Sequence, residues 1–139
     1  MRTYEKFLIR GESLHGHRCP SLLYGIRAAL ILGSNLPPGV EPARIILRHV
    51  SGCFRDGVLA VVEGWLPTDR VNSRPTPGSC SIEAVWDGGS LTIGVRPEVR
   101  VAVDAIHART PDLAEYRSAG MAYLSGLADD EFACLTRPG

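Results

Sequence analysis

The run His15-Gly16-His17-Arg18-Cys19-Pro20 places two imidazoles and a thiol within five residues. These side-chain types bind soft divalent metals, or pair as nucleophile and base. Side chains at i, i+2 and i+4 of an extended segment point to one side, so His15, His17 and Cys19 can converge without help from the rest of the fold. Pro20 suits the first position of a helix, where a missing N–H costs nothing and φ is already set. Cys19 would then stand at a helix N-terminus, whose partial positive charge favours a thiolate.

Cys53 repeats that logic, following a strand and the Ser51-Gly52 turn at the start of a second helix. If both helix starts border one cleft, His15, His17, Cys19 and Cys53 offer three or four ligands to one ion. Three protein ligands and an open position describe a catalytic or exchangeable centre; four describe a closed, structural one. Asp56 lies one turn inside the second helix, either complementing the helix dipole or accepting a hydrogen bond from a ligand imidazole. His49, on the incoming strand, is a pocket residue or a strand-surface residue. Cys80 opens an alternating strand and is read as packing, with pocket membership as the alternative. Cys134, between Phe132 and Leu135, reads as core, and His107 as a structural or surface histidine. Arg55 and Arg74 are available to an anionic substrate.

The elements that must position these groups follow from periodicity. Residues 3–14 form a short amphipathic helix with Tyr4, Phe7, Leu8 and Leu14 on one face. A helix follows over 20–32, with Leu22, Leu23, Ile26 and Leu30 on one side and Gly33 as its stop. Leu36-Pro37-Pro38-Gly39 is a turn. Ile45, Ile46, Leu47 and Val50 read as a buried strand. Phe54, Val58, Val61, Val62 and Trp65 recur at helical spacing. Residues 67–78, with three prolines, read as a loop. Segments 81–87 and 91–95 alternate around Gly88-Gly89 as a hairpin. Val99, Val101 and Val103 predict a further strand. Thr110-Pro111 starts a helix carrying Leu113, Tyr116, Ala119 and Tyr123, and a last short helix begins near Asp129. The whole, residues 1–139, reads as one α+β domain, its sheet mixed or antiparallel.

Composition narrows the function classes. The 139 residues suffice for one core, 45% are hydrophobic and 22% charged, as in ordinary globular chains. A formal net charge of zero gives no electrostatic case for nucleic acid or an anionic membrane. Among the 15 basic residues only Lys6 is lysine, which reads first as compositional bias. No signal peptide and no membrane-spanning run is evident, so a cytoplasmic setting is expected. The four cysteines at 19, 53, 80 and 134 form no Cys-x-x-Cys pair and no disulfide framework.

The first motif, continued by Ser21-Leu22 and Gly25-Ile26-Arg27-Ala28, resembles the opening signature of the FmdE family, named for a component of formylmethanofuran dehydrogenase. Cys53 with Asp56 and the apolar run to Val62 is similar to its second signature, and residues 124–132 to its closing helix. The resemblance spans the chain and implies an α+β core, a homodimer, and a pocket of His15, His17, Cys19 and Cys53 occupied by zinc. Ser21 replaces the family's Gly after Pro. His49 stands where members carry an acidic residue, and residues 75–80 replace a Gly-Lys-Gly turn. Only Cys134 lies where some members carry a zinc finger, so the chain resembles the core domain alone.

Together these readings predict a zinc-binding protein acting on a small molecule by metal-assisted or redox chemistry. Asp56, His49 and Cys80 would lie behind the ligands or in the substrate pocket. Two alternatives stand beside it: a non-catalytic accessory or metal-delivery component of a larger molybdenum or tungsten redox enzyme, and metal-free thiol chemistry at Cys19 or Cys53.

Overall fold

Helix α2 (Pro20–Asn35) organises the molecule, because nearly all of its circumference is apolar and must be covered. In the computed structural model, which describes residues 4–138, α2 packs on strands β3 (Ser81–Trp86) and β4 (Gly89–Val95). It also packs against helices α1 (Tyr4–His15), α3 (Gly52–Val62) and α5 (Leu113–Ser125). The other elements are β1 (Arg44–His49), a 3-10 turn (Thr68–Arg70), β2 (Val71–Pro75), α4 (Pro97–Arg109), α6 (Asp129–Phe132) and β5 (Ala133–Thr136). This is the expected α+β class.

The five strands form one mixed sheet in the order β2-β1-β3-β4-β5. β2 runs parallel to β1 and the remaining pairs are antiparallel. The β3–β4 hairpin turns at Asp87-Gly88, where Gly88 takes a φ of +100° that suits glycine. Ile82, Ala84, Leu91, Ile93 and Val95 point inward beneath α2, joined by Ile45 and Leu47 from β1.

Two glycines bring α2 and α3 into backbone contact. A Cβ on Gly25 would overlap the Phe54 carbonyl oxygen and lie 2.8 Å from the Val58 nitrogen; one on Gly57 would overlap the Leu22 carbonyl oxygen and lie 3.0 Å from the Ile26 nitrogen. This close approach brings the two helix starts, at Cys19 and Cys53, to one place. Arg27 is only 2% exposed, yet its Nη1 donates to the Leu124 carbonyl (2.6 Å) and its Nη2 pairs with Asp129 (2.8 Å). Its guanidinium also lies over the Phe132 ring, so one buried cation fastens α2 to the end of α5 and to α6.

Several expectations are corrected. The helix from Pro20 does not stop at Gly33 but continues to Asn35; Gly33 is where the Trp65 ring presses on it, 2.8 Å from a notional Cβ. Residues 67–78 hold the 3-10 turn and β2, an edge strand whose pairing with β1 is carried by backbone, so its polar side chains carry no strand signal. Val99, Val101 and Val103 lie on helix α4, not a strand. Pro97 occupies its first turn, Val99, Val103 and Ile106 are buried at helical spacing, and Val101 is 67% exposed. α5 starts at Leu113 rather than at Thr110-Pro111, because Asp112 caps it through its Oδ1 and the Glu115 N–H (2.9 Å). Val50 lies beyond β1 and is exposed. Cys134 is exposed on β5, a strand that the sequence pattern does not announce. The first helix is described from Tyr4 to His15; Thr3 lies outside the described residues.

Candidate metal centre

The centre forms where α1 ends and where α2 and α3 begin. His15 is the last residue of α1. Gly16 closes that helix with φ +93°, its N–H donating to the Glu12 carbonyl (2.7 Å). The expected extended arrangement of 15, 17 and 19 is therefore a helix end followed by a left-handed glycine, and the groups converge through that reversal. Arg18 holds the loop down on α1: its Nε donates to Glu12 (2.9 Å) and its Nη2 to Glu5 (2.9 Å). His17 and Cys19, on either side of Arg18, are positioned by this clasp. Cys19 is the N-cap residue of α2, with Pro20 following in the first turn. On α3, Ser51 is the N-cap and its Oγ accepts from the Cys53 N–H (3.2 Å), which fixes Cys53 in the first turn.

The ligand atoms of His15, His17, Cys19 and Cys53 all lie within 4.8 Å of one another. Among the described residues no other group of three or more His, Cys, Asp or Glu side chains meets in this way. His15 is held at both ring nitrogens. Its Nδ1 is 2.7 Å from Asp56 Oδ2, and because an ionised carboxylate only accepts, Nδ1 carries the proton. Nε2 is thereby bare, and it faces Cys53 Sγ at 2.7 Å. The His17 ring lies against His15 at 4.4 Å between centroids.

The donor set fits a soft divalent ion. Tetrahedral zinc with Zn–S and Zn–N bonds of about 2.0–2.3 Å separates its donors by roughly 3.3–3.8 Å, below the 4.8 Å limit of this cluster, and His15 Nε2 and Cys53 Sγ, 2.7 Å apart, would part to admit the ion. The carboxylate behind His15 matches the way metal-bound imidazoles are usually oriented. The electrostatics differ from the sequence expectation at one point. Cys19 is 8% exposed, and burial, with Cys53 beside it, pushes its thiol up to about 11 despite the helix start. A thiolate at Cys19 thus needs a cation to replace the lost solvation. His17 is lowered by burial first, then by the charge of Arg117 and by His15.

His49 and Cys80 do not join this cluster. They line a neighbouring cavity of about 170 Å³ with Tyr24, Arg100 and Asp104, between Ser21 and Ser51, each two residues from a cluster cysteine. His49 is buried; its Nδ1 accepts from the Ser51 N–H (2.9 Å) and its Nε2–H donates to Ser73 Oγ (3.0 Å). It therefore links β1, β2 and the cap of α3. Cys80 is pushed up to about 12 by burial and is a neutral thiol. Arg55 donates to the Val71 carbonyl (3.2 Å) and Arg74 lies exposed on β2 opposite Arg48, so neither reaches the centre. His107 is exposed and stacks on Tyr116 at 4.0 Å. Sequence reasoning misses Arg18, whose hydrogen bonds to Glu12 and Glu5 position the loop that carries His17 and Cys19. An arginine in a loop or on a helix looks the same in a sequence whether or not the fold turns it toward a site.

No curated protein matches the chain. A crystal structure of a tungsten formylmethanofuran dehydrogenase FmdE-like protein from Syntrophus aciditrophicus superposes with a TM-score of 0.64 at 17% identity, covering 99% of this chain and 72% of that one. At that identity the likeness is one of fold. The model of the FmdE family, described as "Molybdenum formylmethanofuran dehydrogenase operon", matches residues 14–125, which contain all four cluster residues and Asp56. By that match the chain belongs to the FmdE family.

Proposed function

We propose that this protein binds one zinc ion through His15 Nε2, His17, Cys19 Sγ and Cys53 Sγ, and that the centre serves metal-assisted chemistry on a small molecule. The observation that carries the reading is the convergence of four N/S ligand atoms within 4.8 Å, drawn from three helix ends. When bound, zinc supplies Lewis acidity. Asp56 holds the His15 ring in the tautomer that leaves Nε2 free. His17 is the least anchored of the four, its ring held by no hydrogen bond among the described residues, and we assign the exchangeable position to its side of the centre. The adjoining cavity has room for a molecule of only a few heavy atoms, being well below the roughly 300 Å³ at which drug-sized sites begin.

Among the described residues no helix is long and apolar enough to cross a membrane. The cysteines are free thiols, which supports a reducing, cytoplasmic setting. We assign the protein a homodimeric state on the family resemblance, and docking onto a larger molybdenum or tungsten redox enzyme as the non-catalytic alternative.

Elemental analysis of untagged protein, purified without added metal, tests the reading. About one zinc per chain is expected, lost in Cys53→Ser. Zinc retained in full by both Cys19→Ser and Cys53→Ser would overturn it. A second reading has its own observation: Cys53, His15 and Asp56 form a thiol–imidazole–carboxylate chain with both links at 2.7 Å, the arrangement of an activated nucleophile, its base and an orienting group. A metal-free protein with a fast-reacting Cys53 would favour that reading.

A further inference from the structure

Two residues in the wall of the 170 Å³ cavity beside the centre hold hydrogen-bonding groups that the fold leaves unused. The first is Arg100, near the start of α4. Its Nη1 donates to the Gly78 carbonyl (2.9 Å), in a turn closed by the Ser79 N–H on the Thr76 carbonyl (3.1 Å), and Ser79 and Cys80 line the same cavity. The guanidinium is thereby fixed against the cavity. Its Nε and Nη2 make no hydrogen bond and no ion pair among the described residues. Those two nitrogens share one edge of the group, and two parallel N–H donors on a planar edge match both oxygens of a carboxylate.

The second is Tyr24, on α2. It is only 7% exposed, it lines the cavity, and its hydroxyl has no hydrogen-bond partner among the described residues. Buried phenols usually have one, and a ring that served packing alone could as well be phenylalanine. Burial first, then Cys80 and Asp104, keep the proton on this hydroxyl, so it stands as a donor; Arg100 acts on it in the opposite sense.

The remaining walls set the charge that fits. His49 is occupied at both ring nitrogens and Cys80 is a neutral thiol. Asp104, one turn beyond Arg100 on α4, lies exposed in the same lining and forms no ion pair with it. The cavity therefore offers one cationic edge to a single negative charge, while Asp104 opposes a second.

We propose that this cavity binds a small monocarboxylate, its two oxygens on Nε and Nη2 of Arg100 and the Tyr24 hydroxyl donating to one of them. The inference deepens the function proposed above by naming the class of small molecule. It rests on that reading only for what the His/Cys centre then does to the molecule.

The test is a residue-resolved NMR titration of the full chain as purified. Acetate is the carboxylate probe, acetamide its neutral isostere and inorganic phosphate the more highly charged anion. Acetate should shift the Ser79 and Cys80 amides saturably and bind roughly tenfold more tightly than acetamide, the scale of a hydrogen bond to a charged group. Phosphate should bind more weakly than acetate, and Asp104→Asn should narrow that gap. Arg100→Gln should abolish the preference for acetate over acetamide. Arg100→Lys, which keeps the charge and loses the paired edge, should lie between. Because Arg100 also holds the 76–79 turn, Tyr24→Phe gives an independent reading: it keeps the ring and should weaken acetate while leaving acetamide and the unfolding temperature nearly unchanged. Equal affinity for acetate and acetamide, or unchanged acetate binding in either Arg100→Gln or Tyr24→Phe, would overturn the proposal. So would a preference for phosphate, or shifts confined to residues 15–19 and Cys53, which would put the anion on the cluster instead. Zinc content is a separate readout: a chain without zinc that still selects acetate defeats the zinc reading alone, and one zinc per chain with no selection for acetate defeats this inference alone.

Discussion

His15 and Asp56 meet at 2.7 Å across 41 residues of chain, and this one hydrogen bond sets which nitrogen His15 turns toward the cluster. Asp56→Asn keeps the shape and removes the charge. The amide can present its NH₂ to Nδ1 and favour the wrong tautomer. Zinc affinity should fall by about 10–100-fold, the usual effect of losing such a partner. Competition titration with a chromophoric chelator checks this, with the unfolding temperature of the metal-free form nearly unchanged.

Gly57→Ala tests the helix crossing. Its Cβ would collide with the Leu22 backbone, which no rotamer change relieves. α2 and α3 must separate, at a cost of about 1–3 kcal/mol or more. The same separation pulls Cys53 from Cys19, so zinc affinity should fall together with the unfolding midpoint. A variant with normal affinity and reduced stability would show that the centre adjusts independently of the crossing.

Stability should fall in mild acid through His49. Its pKa is lowered by burial, and next by the charge of Arg55. Protonating Nδ1 would also set two N–H groups against each other at Ser51. Because the unfolded chain takes up the proton first, the contribution is full above the ordinary histidine value near 6.5. It is lost as pH falls from there toward the lowered native value, at up to about 1.4 kcal/mol per pH unit. Denaturant melts between pH 7.5 and 5 should show this slope, flattened in His49→Gln.

The four thiols should differ widely in accessibility. With a neutral alkylating reagent and metal-free native protein, exposed Cys134 should react first. Cys80 should react last, being 9% exposed with its thiol pushed up to about 12. Urea should bring the rates together. Early reaction of Cys80 would show that the cavity beside it opens readily.

Much of the centre is legible in the sequence because its parts are local. The cluster residues lie at helix boundaries marked by Pro20, Gly16 and Ser51, signals that act over a few residues. That the two helix starts meet rests on Gly25 and Gly57, whose role is a contact between helices that neither glycine announces. The valines at 99, 101 and 103 mislead because an alternation of three also contains an i,i+4 pair; the exposure of Val101 and the Pro97 helix start decide for α4. β2 escapes notice because an edge strand paired through its backbone needs no apolar pattern. His49 and Cys80 are separated from the cluster only by the tertiary packing that gives them a cavity of their own.

Cys53 lies 38 residues beyond His15, so whatever occupies the centre fastens the amino-terminal helix to a distant part of the chain. Occupancy and the order of that helix then become one thermodynamic quantity, since a ligand that binds only the folded arrangement stabilises it by mass action. A molecule that failed to load would be marked by a loosened α1, and segments that open locally are the ones a protease attacks first. The centre would thereby let the cell's own turnover distinguish filled copies from empty ones.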